Sequence, residues 1–341
     1  ARPCAAHTQG VAVVTQRPRY SARMPSTPVA AVPSTPTAAA SVRRAARSHF
    51  SAIRGLRQHW LEWLPEGPPA PNRPTIAMLH GWMDVAASFQ FVVDALDVGV
   101  RVVALDWRGF GRTASGADTF WFPDYLADLD AWLDIVSPKA AVDLLGHSMG
   151  GNVVMSYAGV RPARIRRLIN LEGFGMPATR PEQAPARLAQ WLDELKKPAQ
   201  MRTYATLDEV AQRLRLNNPL LTAERAEWLA PHWSEPRQDD TGVTRWHILG
   251  EAAHKHVNPV LYRVEEVLAL WGRIEAPLLW VDGDRTDVAK WWGNRFPRSE
   301  FDARLAVVRQ VTCRQLSPAG HMLHHDQPEA LARLIDGFLM N

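Results

Sequence analysis

Short apolar runs alternate with amphipathic stretches along most of the chain. Six runs have the length and branched side chains of buried strands, over 75–79, 100–105, 141–145, 167–171, 277–281 and 307–316. Helical periodicity separates them over 89–96, 122–136, the stretch that ends at Tyr157, and 328–339. This alternation is typical of parallel strands joined by crossover helices, so the sequence predicts an α/β fold.

Two regions depart from this alternation of strands and helices, one at the start of the folded part of the chain and one in its middle. Residues 48–54 and 57–63 are predicted as two strands bent at Gly55. A single basic helix over 42–60 is the alternative, which a glycine in its middle disfavours. Between about 177 and 270, helical patterns broken by prolines replace the alternation. We expect this region to be a helical insertion between two strands, able to act as a lid.

Residues 1–45 are rich in Ala, Pro, Ser, Thr and Arg, with Tyr20 as their one aromatic residue. Such a composition predicts a disordered or leader segment, and an organelle transit peptide is an alternative interpretation. The predicted organisation is therefore a leader at 1–45, the first part of an α/β core at 46–176, a helical cap at 177–270 and the rest of the core at 271–341.

The net charge of +4 arises at one end of the 341-residue chain. The first sixty residues contain nine arginines and no acidic residue, whereas acidic side chains outnumber basic ones afterwards. We therefore expect no nucleic-acid surface on the folded domain. No apolar run is long enough for a membrane span. Cys4 and Cys313 cannot form a disulfide framework, which suggests a cytoplasmic protein.

One motif carries the strongest chemical signal in the sequence. The segment 146–151, Gly-His-Ser-Met-Gly-Gly, follows an apolar run and precedes a helical stretch. This is the strand–turn–helix context of a G-x-S-x-G nucleophile elbow, in which Gly146 and Gly150 leave room for a tight turn. The motif predicts that Ser148 is a nucleophile, against the alternative of a structural turn.

A serine hydroxyl needs a base to become an effective nucleophile. His321 lies just after the last predicted strand and before the last helix, where the base of such a site is expected. The alternative is a loop histidine packed at the sheet edge. His324, His325 and Asp326 follow closely, but their spacing matches no strong metal-ligand pattern. We interpret them as solvated or helix-capping and predict no metal.

Attack of the serine on an acyl carbon would create a tetrahedral oxyanion, and two backbone N–H groups must point at it. One is expected from Met149, which follows the nucleophile. The other is expected from Trp82, in the loop that ends the run 75–79.

The acid that orients His321 is the least determined residue of the predicted site. Asp284 and Asp287 follow the run 277–283 and are both suitably placed, whereas Glu172 follows the run 167–171. Asp106 precedes the nucleophile in the chain, so we expect it to cap a strand or hold a loop.

Four segments together resemble the landmark motifs of the α/β-hydrolase superfamily. In chain order they are 79–84 (Leu-His-Gly-Trp-Met-Asp), 106–111 (Asp-Trp-Arg-Gly-Phe-Gly), 146–151 and 320–321 (Gly-His). The first motif continues into 86–89 in a way that resembles the serine-hydrolase-like branch. The resemblance implies a mostly parallel eight-stranded sheet with flanking helices, a cap insertion and no cofactor.

The resemblance is weakest at the acid. Family members usually carry Asp three residues after the glycine that ends the strand, where this chain has Thr286, with Asp287 one residue later. Asp287 is therefore our predicted acid. The segment 171–177 is similar to one in haloalkane dehalogenases, where a carboxylate follows the preceding strand, and this makes Glu172 the second choice. Ser148 argues against dehalogenation and against epoxide hydrolysis, because those enzymes use Asp as nucleophile.

The sequence thus predicts a serine hydrolase of a small or medium apolar ester, with Ser148, His321 and Asp287 as catalytic residues and Trp82 and Met149 as oxyanion donors. A carbon–carbon bond hydrolase and a catalytically inactive binding protein are the alternatives. Trp82 and four tryptophans of the insertion suggest that the substrate is apolar. Alternatively, the tryptophans of the insertion could bury the cap against the core. These four residues are Trp191, Trp228, Trp233 and Trp246.

Overall fold

The computed structural model describes residues 27–29, 44–66, 74–97, 99–197, 199–239 and 241–340. The predicted leader at 1–45 lies outside the described residues, except for 27–29 and 44–45. Within these ranges, no helix has the length and apolar character needed to cross a membrane.

A nine-stranded sheet forms the centre of the molecule, with the strand order β1-β12-β11-β7-β6-β4-β5-β3-β2. The strands are β1 (Thr27–Val29), β2 (Arg47–Ile53), β3 (Leu56–Trp63), β4 (Ile76–Leu79), β5 (Val102–Leu105), β6 (Val142–His147), β7 (Ile165–Leu171), β11 (Leu278–Gly283) and β12 (Val311–Leu316). Only the pairs β2–β3 and β3–β5 are antiparallel. The predicted eight-stranded, mostly parallel sheet is confirmed, with the three-residue β1 added at one edge.

Helices cover both faces of this sheet. The α-helices of the described residues, including those of the insertion between β7 and β11, are α1 (Gln90–Ala95), α2 (Phe122–Val136), α3 (Met149–Val160), α4 (Ala184–Lys196), α5 (Leu207–Asn217), α6 (Ala223–Trp233), α7 (Val264–Trp271), α8 (Ala289–Trp292), α9 (Arg298–Leu305), α10 (Leu323–Asp326) and α11 (Pro328–Met340). Alternate strand residues enter two apolar clusters. One cluster packs against α2, α3, α7 and α9, and the other against α1 and α11. Strands buried on both faces explain the continuous apolar runs of the sequence.

The first two long strands form the hairpin predicted from Gly55. Ile53 pairs with Leu56, so the turn contains only two residues. Both of them have positive φ, +48° at Arg54 and +82° at Gly55, as the favoured two-residue hairpin turn requires. The alternative of one continuous basic helix is wrong.

The insertion between β7 and β11 contains helices α4 to α7, as predicted, and also a small antiparallel sheet. This sheet has the order β8-β10-β9, with β8 at Thr203–Tyr204, β9 at Ser234–Gln238 and β10 at Thr244–Ile248. Its strands are short and largely polar, so no apolar alternation indicates them in the sequence. Pro236 is tolerated because β9 is an edge strand.

The cap has an apolar core of its own, which packs onto Phe91 of α1. Trp228, Trp233 and Trp246 pack against this core, and Trp191 donates from Nε1 to Thr119 Oγ1 at 3.2 Å. Three of these tryptophans thus pack within the cap, and Trp191 joins the cap to the segment that precedes α2.

Arg44 anchors the start of the long described part of the chain. Its side chain is buried, and its guanidinium donates to the carbonyl oxygens of Leu64, Val93 and Val100 at 2.9, 3.4 and 2.8 Å. Its backbone N–H donates to Asp94 Oδ1 at 2.8 Å. The packed structure thus includes a residue that the sequence analysis assigned to the leader.

Candidate active site

Ser148 lies on a sharp turn between β6 and α3. Its backbone has φ +52° and ψ −113°, a conformation that non-glycine residues seldom adopt. A Cβ on Gly146 would stand 2.3 Å from the Gly150 carbonyl oxygen, and one on Gly150 would stand 2.2 Å from the Leu79 carbonyl oxygen. The two glycines therefore permit the close packing of strand, turn and helix that the motif predicts. Ser148 is left half-buried at the N-terminus of α3.

The structure brings Ser148 and His321 together. The Ser148 Oγ lies 2.9 Å from His321 Nε2, within hydrogen-bond distance. His321 belongs to the segment between β12 and α10, at the carboxyl edge of the sheet where β6 also ends. This is the spatial relation that the sequence analysis required of the two residues.

Glu172 is the carboxylate next to His321, so the prediction that Asp287 is this acid is wrong. Glu172 Oε2 lies 3.1 Å from His321 Nδ1, and its side chain is buried at the end of β7. Asp287 is exposed, and its Oδ1 accepts a hydrogen bond from the Ala289 N–H at 3.0 Å. Asp284 is also directed elsewhere, since its carboxylate holds the turn at 317–319.

Thr286 explains why the family's usual acid position is not needed here. Its Oγ1 donates to Glu172 Oε1 at 2.9 Å, and the Gly283 N–H donates to the same oxygen at 2.6 Å. The loop after β11 therefore supplies hydrogen-bond donors to a carboxylate that comes from β7. Glu172 is left with Oε2 to orient the imidazole of His321.

Burial dominates the electrostatics of this pair. It lowers the pKa of His321 to about 4 and raises the pKa of Glu172 above its usual range, while the donors Gly283 and Thr286 act in the opposite direction on Glu172. An imidazole with a lowered pKa is neutral near pH 7 and can accept the proton of a hydroxyl group.

The predicted oxyanion donors belong to two segments that flank the turn at Ser148, the start of α3 and the loop after β4. Met149 is the first residue of α3, so its N–H belongs to the helix turn that has no intrahelical acceptors. Gly81 packs against the elbow, because a Cβ there would stand 3.2 Å from Ser148 Cβ. Trp82 follows Gly81, and its Nε1 donates to the His254 carbonyl oxygen of the cap at 3.2 Å.

Three residues that the sequence analysis did not select also support the site. His147 Nε2 donates to the His321 carbonyl oxygen at 2.8 Å, and Trp291 lies with its ring centroid 4.5 Å from that of His321. Asn170 exchanges two hydrogen bonds with the backbone of Gly173, which holds the turn that carries Glu172. His147 could have been found as the residue before the serine, whereas Asn170 and Trp291 give no signal in the sequence.

The structure agrees with the interpretation of Asp106 but not with that of His324 and His325 as solvated. Asp106 accepts hydrogen bonds from the Ala86 and Arg112 N–H groups and contacts His59 Nδ1 at 2.6 Å, so it holds a loop, as expected. His324 and His325 are not solvated, because both are buried in α10.

Comparison with known proteins agrees with the fold. The family model of the alpha/beta hydrolase fold matches residues 74–328. A serine hydrolase-like protein of Danio rerio is 24% identical over 285 residues, which is 80% of this chain and 82% of the relative. A serine hydrolase-like protein of Dictyostelium discoideum is 23% identical over 285 residues, covering 80% and 76%.

Among solved structures, the thioesterase domain from the curacin biosynthetic pathway is similar to this fold. It has a TM-score of 0.70 and 26% identity, and the match covers 85% of this chain and 99% of that domain. The family model spans most of the chain and includes the strands that carry Ser148, Glu172 and the oxyanion loop. The chain therefore belongs to the α/β-hydrolase superfamily.

Proposed function

We propose that this protein is a serine hydrolase that cleaves a small or medium apolar ester through an acyl-enzyme on Ser148. The observation that carries the proposal is the continuous hydrogen-bonded series Ser148 Oγ–His321 Nε2 and His321 Nδ1–Glu172 Oε2, at 2.9 and 3.1 Å. A nucleophile, a base and a group that orients the base are the parts that such catalysis requires.

In the proposed mechanism, His321 removes the hydroxyl proton of Ser148 as Oγ attacks the acyl carbon. Glu172 stabilises the imidazolium that forms. The backbone N–H groups of Trp82 and Met149 stabilise the oxyanion, at about 3 kcal/mol for each donor. His321 then protonates the leaving group, and the alcohol departs. In the second half, His321 takes a proton from water as the water oxygen attacks the acyl carbon. The bond between that carbon and Ser148 Oγ then breaks, His321 returns the proton to Oγ, and the carboxylic acid departs.

The surroundings of Ser148 support an apolar substrate. Trp82 and Trp291 are large apolar side chains that are 51 and 42% exposed, respectively. Trp291 lies against the ring of His321, and Trp82 follows Gly81, which packs against Ser148, so both side chains border the proposed reaction centre. The thioesterase domain among the structural relatives supports including thioesters among the acyl substrates tested.

The first test compares Ser148→Ala with the wild-type protein on p-nitrophenyl esters of increasing acyl length. Loss of the nucleophile should lower kcat on the order of 10⁴-fold or more, since the residues of such a site act as a unit. Ser137→Ala is the matched control, because this serine caps the end of α2 and its Oγ donates to the Ala140 carbonyl oxygen.

A fluorophosphonate probe followed by peptide mapping gives an independent readout. We expect modification at Ser148 and none in Ser148→Ala. Equal turnover in wild type and Ser148→Ala would favour a catalytically inactive binding protein. Labelling of Ser148 without ester turnover, together with cleavage of a diketone, would favour the carbon–carbon bond hydrolase.

A further inference from the structure

A second cluster of ionisable side chains lies behind the candidate active site. Asp84 is in the turn after β4, two residues beyond Trp82, while His324 and His325 are in α10, just beyond His321. All three are buried, with exposures of 3, 0 and 2%. Their potential ligand atoms all lie within 4.8 Å of one another.

Several polar atoms of this cluster are not satisfied by hydrogen bonds. Both ring nitrogens of His324, the Nε2 of His325 and the Oδ2 of Asp84 have no hydrogen-bond partner within the part of the chain that the structure describes. Leaving buried polar atoms unpaired is costly, at about 1–3 kcal/mol for each group. A bound ion is one of the partners that satisfy such a group of buried polar atoms.

The spacing fits a shared cation better than a hydrogen bond. His324 Nε2 and Asp84 Oδ2 are 3.6 Å apart, which is too long for a hydrogen bond. Zinc holds nitrogen and oxygen ligands at about 2.0–2.2 Å, so two ligands in tetrahedral geometry stand about 3.4 Å apart. A neutral imidazole is the form that binds a metal.

The second oxygen of Asp84 is already held in place. Its Oδ1 accepts hydrogen bonds from Ser88 Oγ and from Trp233 Nε1 of the cap, the latter at 2.9 Å. Carboxylate ligands of metal sites are typically oriented in this way by hydrogen bonds to the atom that does not bind the ion. Because these hydrogen bonds use only Oδ1, the Oδ2 of Asp84 is left to face the two histidines.

We propose that Asp84, His324 and His325 bind a divalent transition-metal ion, for which Zn²⁺ is the best match. Two imidazoles and one carboxylate form a ligand set that suits zinc in a four-coordinate site with one further position. The ion would join the turn after β4 to α10 and so brace the two segments that carry Trp82 and His321. The site is separate from the Ser148 hydroxyl and does not depend on the proposed esterase activity.

Cobalt provides a direct test, because Co²⁺ substitutes for zinc and absorbs visible light when it is four-coordinate. The full chain is treated with a chelator, dialysed and titrated with CoCl₂. We expect saturation at one equivalent with visible absorption bands, and loss of those bands on adding one equivalent of ZnCl₂. An absence of saturable binding by the wild-type protein would overturn the proposal, whatever the variants do.

Variants locate the ion within the fold. His325→Gln should weaken binding by more than about 100-fold, the upper limit typical of residues that only orient a ligand. His232→Gln is the matched control, because His232 is exposed in the cap and outside the cluster. Circular dichroism confirms that both variants fold.

A second readout uses stability and crystallography. Because bound metal stabilises the folded state, ZnCl₂ should raise the melting temperature of wild type and His232→Gln but not of His325→Gln. Anomalous diffraction at the zinc edge should place the ion among the three side chains. An ion found elsewhere, or unchanged affinity in a folded His325→Gln, would contradict the proposal.

Discussion

The two carboxylate oxygens of Glu172 have different partners. Oε1 accepts hydrogen bonds from the Gly283 N–H and Thr286 Oγ1, and Oε2 faces His321 Nδ1. The backbone of Glu172 has φ +60°, which a glutamate seldom adopts. The hydrogen bonds between Asn170 and Gly173 hold this turn. The side chain is thus positioned from both ends, as expected of a residue that orients a base.

Glu172→Gln should lower kcat by about 10⁴-fold, the effect known for the acid-to-amide change in a serine triad. Glutamine retains the shape but cannot stabilise the imidazolium of His321. Asp287→Asn is the matched control and should stay close to the wild-type rate, because Asp287 is exposed and bonded to Ala289. Steady-state kinetics on one ester checks both variants, and a larger fall in Asp287→Asn would refute our assignment.

At the residue scale, the sequence predicts Ser148 and His321, which the structure places within hydrogen-bond distance, but not the carboxylate beside His321. Ser148 and His321 follow from motifs whose position relative to strands is readable. The acid depends on which carboxylate turns toward His321, and that is decided by the positive φ at Glu172 and by the path of the loop after Gly283. The sequence signal for this acid was the combination of Thr286 at the usual acid position and Glu172 after the preceding strand.

The strand–turn–helix unit of β6 and α3 is built without spare space. The first turn of α3 packs directly on the end of β4, where Gly150 would place a Cβ 2.2 Å from the Leu79 carbonyl oxygen and 2.7 Å from that of His80. Real Cβ atoms do not approach backbone so closely, so any larger residue must move the helix or the strand. The position of the Ser148 hydroxyl therefore depends on this glycine.

Gly150→Ala should reduce the free energy of unfolding by at least about 1–3 kcal/mol, as overpacking does, and should also slow fluorophosphonate labelling of Ser148. Gly337→Ala in α11 is the control, because its added Cβ meets nothing within 4 Å. That change should be neutral or stabilise the helix by up to about 1 kcal/mol. Urea unfolding measures both, and equal stability of the two variants would contradict this explanation.

The elements that were predicted correctly are the ones with a strong apolar pattern. The runs 75–79 and 141–145 correspond to β4 and β6 with shifts of one or two residues, because strands buried on both faces consist mainly of apolar residues. The cap sheet and α9 were missed. In α9 only Phe301, Arg304 and Leu305 are buried, which is too few positions to show a period.

Several histidines are buried in different parts of the molecule. Burial lowers the pKa of His147 and His254 to about 3 and that of His324 to about 4. A histidine whose pKa is lowered by folding contributes stability that is complete above its ordinary value of 6.5 and is lost as the pH falls toward the lowered value. Carboxyl groups with raised pKa values, such as Glu172, act in the opposite direction.

We expect the free energy of unfolding to decrease as the pH is lowered from 6.5 toward 4, because unfolding lets these histidines take up protons. His254→Phe isolates one of them. Its ring stacks between Phe110 and Phe120 at centroid distances of 3.7 and 3.6 Å, so an aromatic replacement fits the site. Urea unfolding at several pH values should give a smaller pH slope in this variant, and an unchanged slope would be inconsistent with a neutral buried His254.

The contacts of Arg44 set a practical limit for anyone who shortens this protein for crystallisation. A version that starts at Ala45 would leave the carbonyl oxygens of Leu64, Val93 and Val100 without their guanidinium donor. It would also open the interior beside α1, on which the cap rests through Phe91. A trimmed protein should therefore retain Arg44, even though the folding pattern in the sequence begins only after it.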